Sequence, residues 1–127
     1  MHAGDAIRAA RQRQLPIDDM LACLVASTLY VPLAEPPQMD GDLVKSWKPA
    51  TAAKANGSQW LIVFTDTDSI SAFAQRNPSY SYQLQIAANW VLQTLPSGHG
   101  LAVNIGSPEI MFEWHADGIR QYMAQAQ

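Results

Sequence analysis

The sequence predicts an α+β domain in which helices pack on a mixed sheet of about five strands. Three observations point there. The run Trp60-Leu61-Ile62-Val63-Phe64 is continuously apolar and of strand length, so it belongs at the centre of a sheet covered on both faces. Apolar residues recur at helical spacing before and after it. The chain has 127 residues, 48% of them hydrophobic, which suffices for one core without metals or disulfides. We read residues 1–127 as a single domain, with 1–15 as a helical lead-in.

Composition excludes several classes. Charged residues make up 15%, against roughly 25% in an average soluble domain. Eight basic and eleven acidic side chains leave a net charge of −3, so nucleic acid is not an expected partner. Disorder would need lower hydrophobicity and higher charge. A single cysteine, Cys23, cannot build a disulfide framework and fits a reducing compartment. The remaining charge is unevenly spread. Residues 77–108 contain no Asp, Glu, Lys or Arg, and His99 is the one histidine there. Gln83, Gln85, Asn89, Gln93, Pro96 and Gly98 interrupt that stretch, so no membrane span is expected. Asp5, Arg8, Arg11 and Arg13 occupy the place of a signal peptide's apolar segment, and the expected location is the cytoplasm.

Taken in order, Asp5 is expected to cap a first helix carrying Ile7 and Ala10 on one side and the arginines on a solvated face. Pro16 opens a second helix, with Asp18 and Asp19 in its first turn and Leu21, Leu24 and Val25 toward the core. Cys23 lies among these and reads as packing. Residues 29–33 form a short strand that Pro32 confines to an edge or an end. Residues 34–46 read as a loop seeded by Pro36 and Pro37, carrying Asp40 and Asp42. Asn56-Gly57 signals a tight hairpin leading into the central strand. Asp66 or Thr67 then caps a helix that turns Ile70 and Phe73 inward and ends before Asn77-Pro78.

A longer helix is expected from Tyr82, with Leu84, Ala87, Ala88, Val91, Leu92 and Leu95 on one stripe. Ile86 and Trp90 fall on its neutral side at four-residue spacing. Such a face serves either as a protein-binding surface or as a seat for a terminal helix. Residues 96–100 form a turn in which His99 should be exposed. Leu101 to Ile105 reads as a strand, and Ile110, Phe112 and Trp114 alternate with Met111, Glu113 and His115 in another. Asp117 is expected to cap a final helix.

Two motifs invite chemistry. The strand running into Asp66-Thr67-Asp68 resembles the nucleophile motif of haloacid-dehalogenase-type phosphatases, yet no lysine follows Lys54 and no later acidic pair is suited to magnesium. The same residues resemble the start of a calcium loop, but the sixth position lacks glycine and Asn77 stands where a bidentate Glu is required. Glu113 and His115 are too few for zinc. No catalytic residue, metal or cofactor is therefore expected.

The helical lead-in to Leu29-Tyr30-Val31-Pro32-Leu33, the strand Trp60-Leu61-Ile62-Val63-Phe64 running into Thr65-Asp66, and Gly100-Leu101-Ala102-Val103-Asn104-Ile105-Gly106-Ser107 together resemble the N-terminal domain of bacterial SseB-type proteins. That family shows a YVP strand, a strand ending in FT before a helix, and an NPGS turn after an apolar strand. Here Ile105 replaces the proline of that turn. The resemblance covers roughly residues 16 to 120. It implies a fold rather than an activity, together with an association with type III secretion labels or with immunity proteins encoded beside toxins.

These readings together lead us to expect a non-catalytic protein-binding domain, its partner a toxin or a secretion component. The expected contacts are Ile86, Trp90, Tyr80 and Tyr82, with Asp40 and Asp42 facing a basic partner. A homodimer is a further expectation. The alternative is a small polar ligand or substrate held in a cleft by Thr65, Asp66, Asn104 and Ser107, although turn chemistry is the preferred account of Asn104 and Ser107.

Overall fold

A computed structural model describes residues 1–125. Helix α1 (Ala3–Arg11) is capped by His2, whose Nδ1 accepts from the Gly4 N–H at 3.1 Å. Asp5 is not the cap; it sits in the first turn and pairs with Arg8. Helix α2 (Ile17–Val25) follows Pro16 and buries Met20, Leu21 and Leu24. Cys23 is half-buried on its flank, donating from Sγ to the Met1 carbonyl.

Strand β1 (Thr28–Leu33) pairs antiparallel with β6 (Tyr82–Ala87). Its other side meets Phe64 through Tyr30 and Pro49 through Leu33. Pro32 is therefore buried inside the sheet rather than at an edge. Alternation directs the backbone N of Tyr30, Pro32 and Ala34 to one side. Tyr30 donates to Phe64 and Ala34 to Lys48. The N–H that proline lacks thus falls where β1 changes partner, so no ladder bond is lost there.

Between β1 and the centre, residues 38–46 are not a plain loop. Strands β2 (Gln38–Asp40) and β3 (Leu43–Ser46) form an exposed hairpin turned at Gly41, with φ +62°, and Asp42. Strand β4 (Thr51–Ala53) pairs with β5 (Gln59–Val63), which runs parallel to β7 (His99–Val103); β8 (Phe112–Trp114) closes that side. The sheet is mixed, as its sequence implies, with β5 central. Gly57 takes φ +85° in the β4–β5 turn, where Asn56 Oδ1 accepts from the Ser58 N–H.

Alternation along β5 builds two cores. Leu61 and Val63 join the larger one, formed with α1, α2, α4 (Ala88–Thr94) and α5 (Ala116–Gln125) on one face of the sheet. Ile62 and Phe64 point the other way, against Ile70 and Phe73 of α3 (Thr67–Arg76). Asp66 caps α3 through the Ser69 N–H at 2.7 Å. Asp117 is not at the cap position; it lies in the first turn of α5 and pairs with Arg120. His99 is half-buried rather than exposed, and its Nδ1 has no partner.

The largest departure is at residues 82–95. The helical stripe expected from Leu84 to Leu95 is a strand followed by a two-turn helix, with the change at Ala87-Ala88. Pairing with β1 satisfies the backbone groups of Tyr82, Leu84 and Ile86 and seats Leu84 and Ile86 opposite Val31 and Leu29. Ile86 and Trp90 consequently do not share a helix face.

Candidate functional site

Two regions carry the residues that the sequence singles out. The first is the end of the sheet where β5 and β7 finish. Asn104 adopts φ +57° and is fully buried, and Thr65 is buried beside it. Asn104 Oδ1 accepts from the Thr65 N–H at 2.9 Å, and its Nδ2 donates to Thr65 Oγ1 at 2.9 Å and to the Ile110 carbonyl at 3.0 Å. The Asn104 carbonyl accepts from the Ser107 N–H. Asp66 is occupied in capping α3. The four residues are neighbours, but the amide is spent on the protein itself.

An open depression of about 650 Å³ lies next to Thr65, between the start of α1 and the end of α2. Three of its polar wall groups are also engaged: His2 Nδ1 with the Gly4 N–H, Cys23 Sγ with the Met1 carbonyl, and Ser27 Oγ with the Leu24 carbonyl.

The other region is β6. Tyr30 spends its N–H and C=O on Phe64, each bond 2.8 Å, so β1 reaches β6 through Leu29, Val31 and Leu33. Antiparallel alternation then turns the backbone groups of Gln83 and Gln85 away from β1. No strand among the described residues pairs with that side. Edge strands are ordinarily blunted by lysine, proline, a bulge or a cover. Tyr82–Ala87 has a regular register and carries no charge and no proline.

The helix that follows β6 carries an aromatic pair. Trp90 on α4 meets Trp47 edge-to-face, with ring centroids 5.4 Å apart. Both rings are half-buried and, like Leu84 and Ile86, pack against the larger core. Nothing local in the sequence singles out Trp47, because its role depends on a contact with a residue 43 positions away. Tyr82 is 47% exposed at the start of β6. Tyr80 sits in the preceding 3₁₀ turn, where it packs on Phe73 over the smaller core and lines a depression shared with Tyr82 and Gln83. Asp40 and Asp42 sit at the tip of the β2–β3 hairpin, which also exposes Leu43 and Met39.

The model for the SseB protein N-terminal domain matches residues 4–121. The chain belongs to the SseB N-terminal domain family. No curated protein and no solved structure matches it. The three short SseB motifs turn out to be one structural unit. Tyr30 of the YVP strand exchanges both backbone bonds with Phe64, and Thr65, which follows, is held by Asn104 of the third motif. Ile105, standing in place of the SseB proline, packs against the smaller core. These motifs build the junction of β1, β5 and β7.

A last cluster lies on the sheet face that α3 leaves uncovered. The Lys54 ammonium sits 4.3 Å from the centroid of Trp60 and pairs with Glu113, while His115 meets the same indole edge-to-face. Glu113 and His115 are thus occupied in shielding Trp60, which is buried beneath them. No three potential metal-ligating side chains group together among the described residues. No helix of the described residues is long and apolar enough to cross a membrane.

Proposed function

We propose that this SseB domain is a non-catalytic protein-binding module whose contact surface is the outer edge of β6 with the Trp47–Trp90 flank. The observation that carries the reading is the edge itself: an uncharged, regular strand whose Gln83 and Gln85 backbone groups have no partner strand among the described residues. Proteins recognise such edges by adding a strand, with main-chain hydrogen bonds giving affinity and alternate side chains giving selectivity. The half-buried tryptophans supply the aromatic anchors on which interfaces concentrate their energy. The acidic tip at Asp40 and Asp42 favours a basic surface on the partner and speeds its approach. An immunity-like role against a toxin, or service to a secretion component, is the setting in which we place this surface.

The direct test is Gln85→Pro. Its N–H points outward, so proline removes a donor from the edge while leaving the β1 ladder complete. Affinity capture from the host should lose its stoichiometric partner with Gln85→Pro and with Trp90→Ala. Unchanged capture by both variants would overturn the reading. A small-ligand site at Thr65 and Asn104 would require the Asn104 amide to abandon its bonds to Thr65 and Ile110, which makes it the weaker reading.

A further inference from the structure

The same edge also specifies an occupant. We propose that two copies of this chain pair β6 to β6 in antiparallel fashion, continuing the sheet across a two-fold axis. This rests on the protein-binding reading of the edge and names the partner.

Charge comes first. Across a two-fold axis a strand meets itself, so any charge on it is opposed by the same charge nearby, which destabilises the pair. Tyr82–Ala87 carries none, and residues 77–108 contain no Asp, Glu, Lys or Arg. An edge meant for a charged strand would be expected to carry the complementary sign.

Hydrogen bonding then admits a register centred on Leu84. The outward groups belong to Gln83 and Gln85. They are matched when the axis passes through Leu84, because Gln83 of each copy then lies opposite Gln85 of the other. Each such pair exchanges both N–H to C=O bonds, one pair on either side of the axis.

Side chains agree with that register. Leu84 faces Leu84 of the other copy, and Tyr82 faces Ile86, all on the side of the sheet that holds the larger core. The half-exposed Tyr82 ring would be covered by an aliphatic neighbour, a favourable cross-strand pair. On the opposite side, Gln83 and Gln85 set amide against amide. No residue is left facing an unlike group.

The test is sedimentation velocity over a dilution series, with chemical cross-linking in a Cys23→Ser background. The wild-type chain should be dimeric at high concentration and dissociate on dilution. Gln85→Pro should be monomeric with the wild-type circular dichroism. The exposed pair Gln83→Lys and Gln85→Lys, which leaves every ladder bond in place, should weaken the dimer about tenfold or more by opposing like charges.

At Leu84 the two copies' Cα atoms would be about 4.5 Å apart, close enough for a disulfide. Leu84→Cys should therefore oxidise to a covalent dimer, and Gln83→Cys, which faces a glutamine, should not. If Gln85→Pro fails to fold, the lysine variant supplies the same reading. A wild-type chain that stays monomeric throughout overturns the pairing of copies, as does a dimer indifferent to the lysines with no preference for cross-linking at position 84. If that monomeric chain still loses a captured partner when the lysines are introduced, the protein-binding reading survives alone. If it loses none, both fall.

Discussion

The two ends of interest in this domain treat their polar groups in opposite ways. At the β5–β7 end, Asn104 and Thr65 are buried, and the amide is fully engaged within the protein. Along β6, the backbone groups of Gln83 and Gln85 are left without a strand among the described residues. The β5–β7 end has the residue types of a chemical site, yet in the fold they serve as architecture. The β6 segment has the residue pattern of an ordinary neutral helix, yet in the fold it is the open edge of a sheet. Residue type alone does not mark a functional site; what matters is whether its hydrogen-bonding capacity is already used.

The contrast can be broken at several points, beginning with the closed end. Asn104→Ala strands the Thr65 N–H and the Ile110 carbonyl in the interior, and each unsatisfied group costs about 1–3 kcal/mol. Urea denaturation should show a loss of about 3 kcal/mol. Gly100→Ala follows. A Cβ there would lie 2.6 Å from the Trp60 ring and 2.8 Å from the Trp114 carbonyl, so β5 and β8 must shift, at about 2 kcal/mol in the same assay.

Substitutions at the open edge should reverse the pattern, moving binding more than stability. Trp90→Ala gives up the edge-to-face contact with Trp47, about 1 kcal/mol beyond the apolar area that the half-buried ring covers on the core, and should weaken partner capture about tenfold. Gln85→Pro should alter the unfolding midpoint negligibly, within about 0.5 kcal/mol, while removing association. Least of all, Asp40→Asn with Asp42→Asn should leave stability unchanged and only slow association with a basic partner, an effect that added salt abolishes in the parent.

How far the sequence reveals this depends on how local each signal is. The central strand is legible because Trp60 to Phe64 is apolar on both faces, and Asp66 is legible as a cap because capping acts within one turn. Residues 82–95 mislead for a physical reason. Leu84, Ala87, Ala88, Val91 and Leu92 fit a helical period, while Tyr82, Leu84 and Ile86 alternating with Gln83 and Gln85 fit a strand equally well. No capping side chain marks the boundary, since Ala87 begins α4 without one. Only pairing with β1, at Thr28–Leu33, decides between them.

The hairpin at 38–46 is hidden by Pro36 and Pro37, although Asp40-Gly41 is a turn signal in its own right. The proximity of Thr65 and Asn104 is legible from the strand ends they occupy. That Asn104 consumes its own amide there depends on its left-handed backbone, which residue type alone does not reveal.

Amide exchange resolved by residue tests the central claim most directly. Leu84 and Ile86 donate into the β1 ladder and should be protected at every concentration, whereas Gln83 and Gln85 should exchange freely in dilute solution. Raising the concentration, or adding a captured partner, should protect Gln83 and Gln85 and leave the other two unchanged. Continued free exchange at Gln83 and Gln85 within an assembled complex would contradict the account.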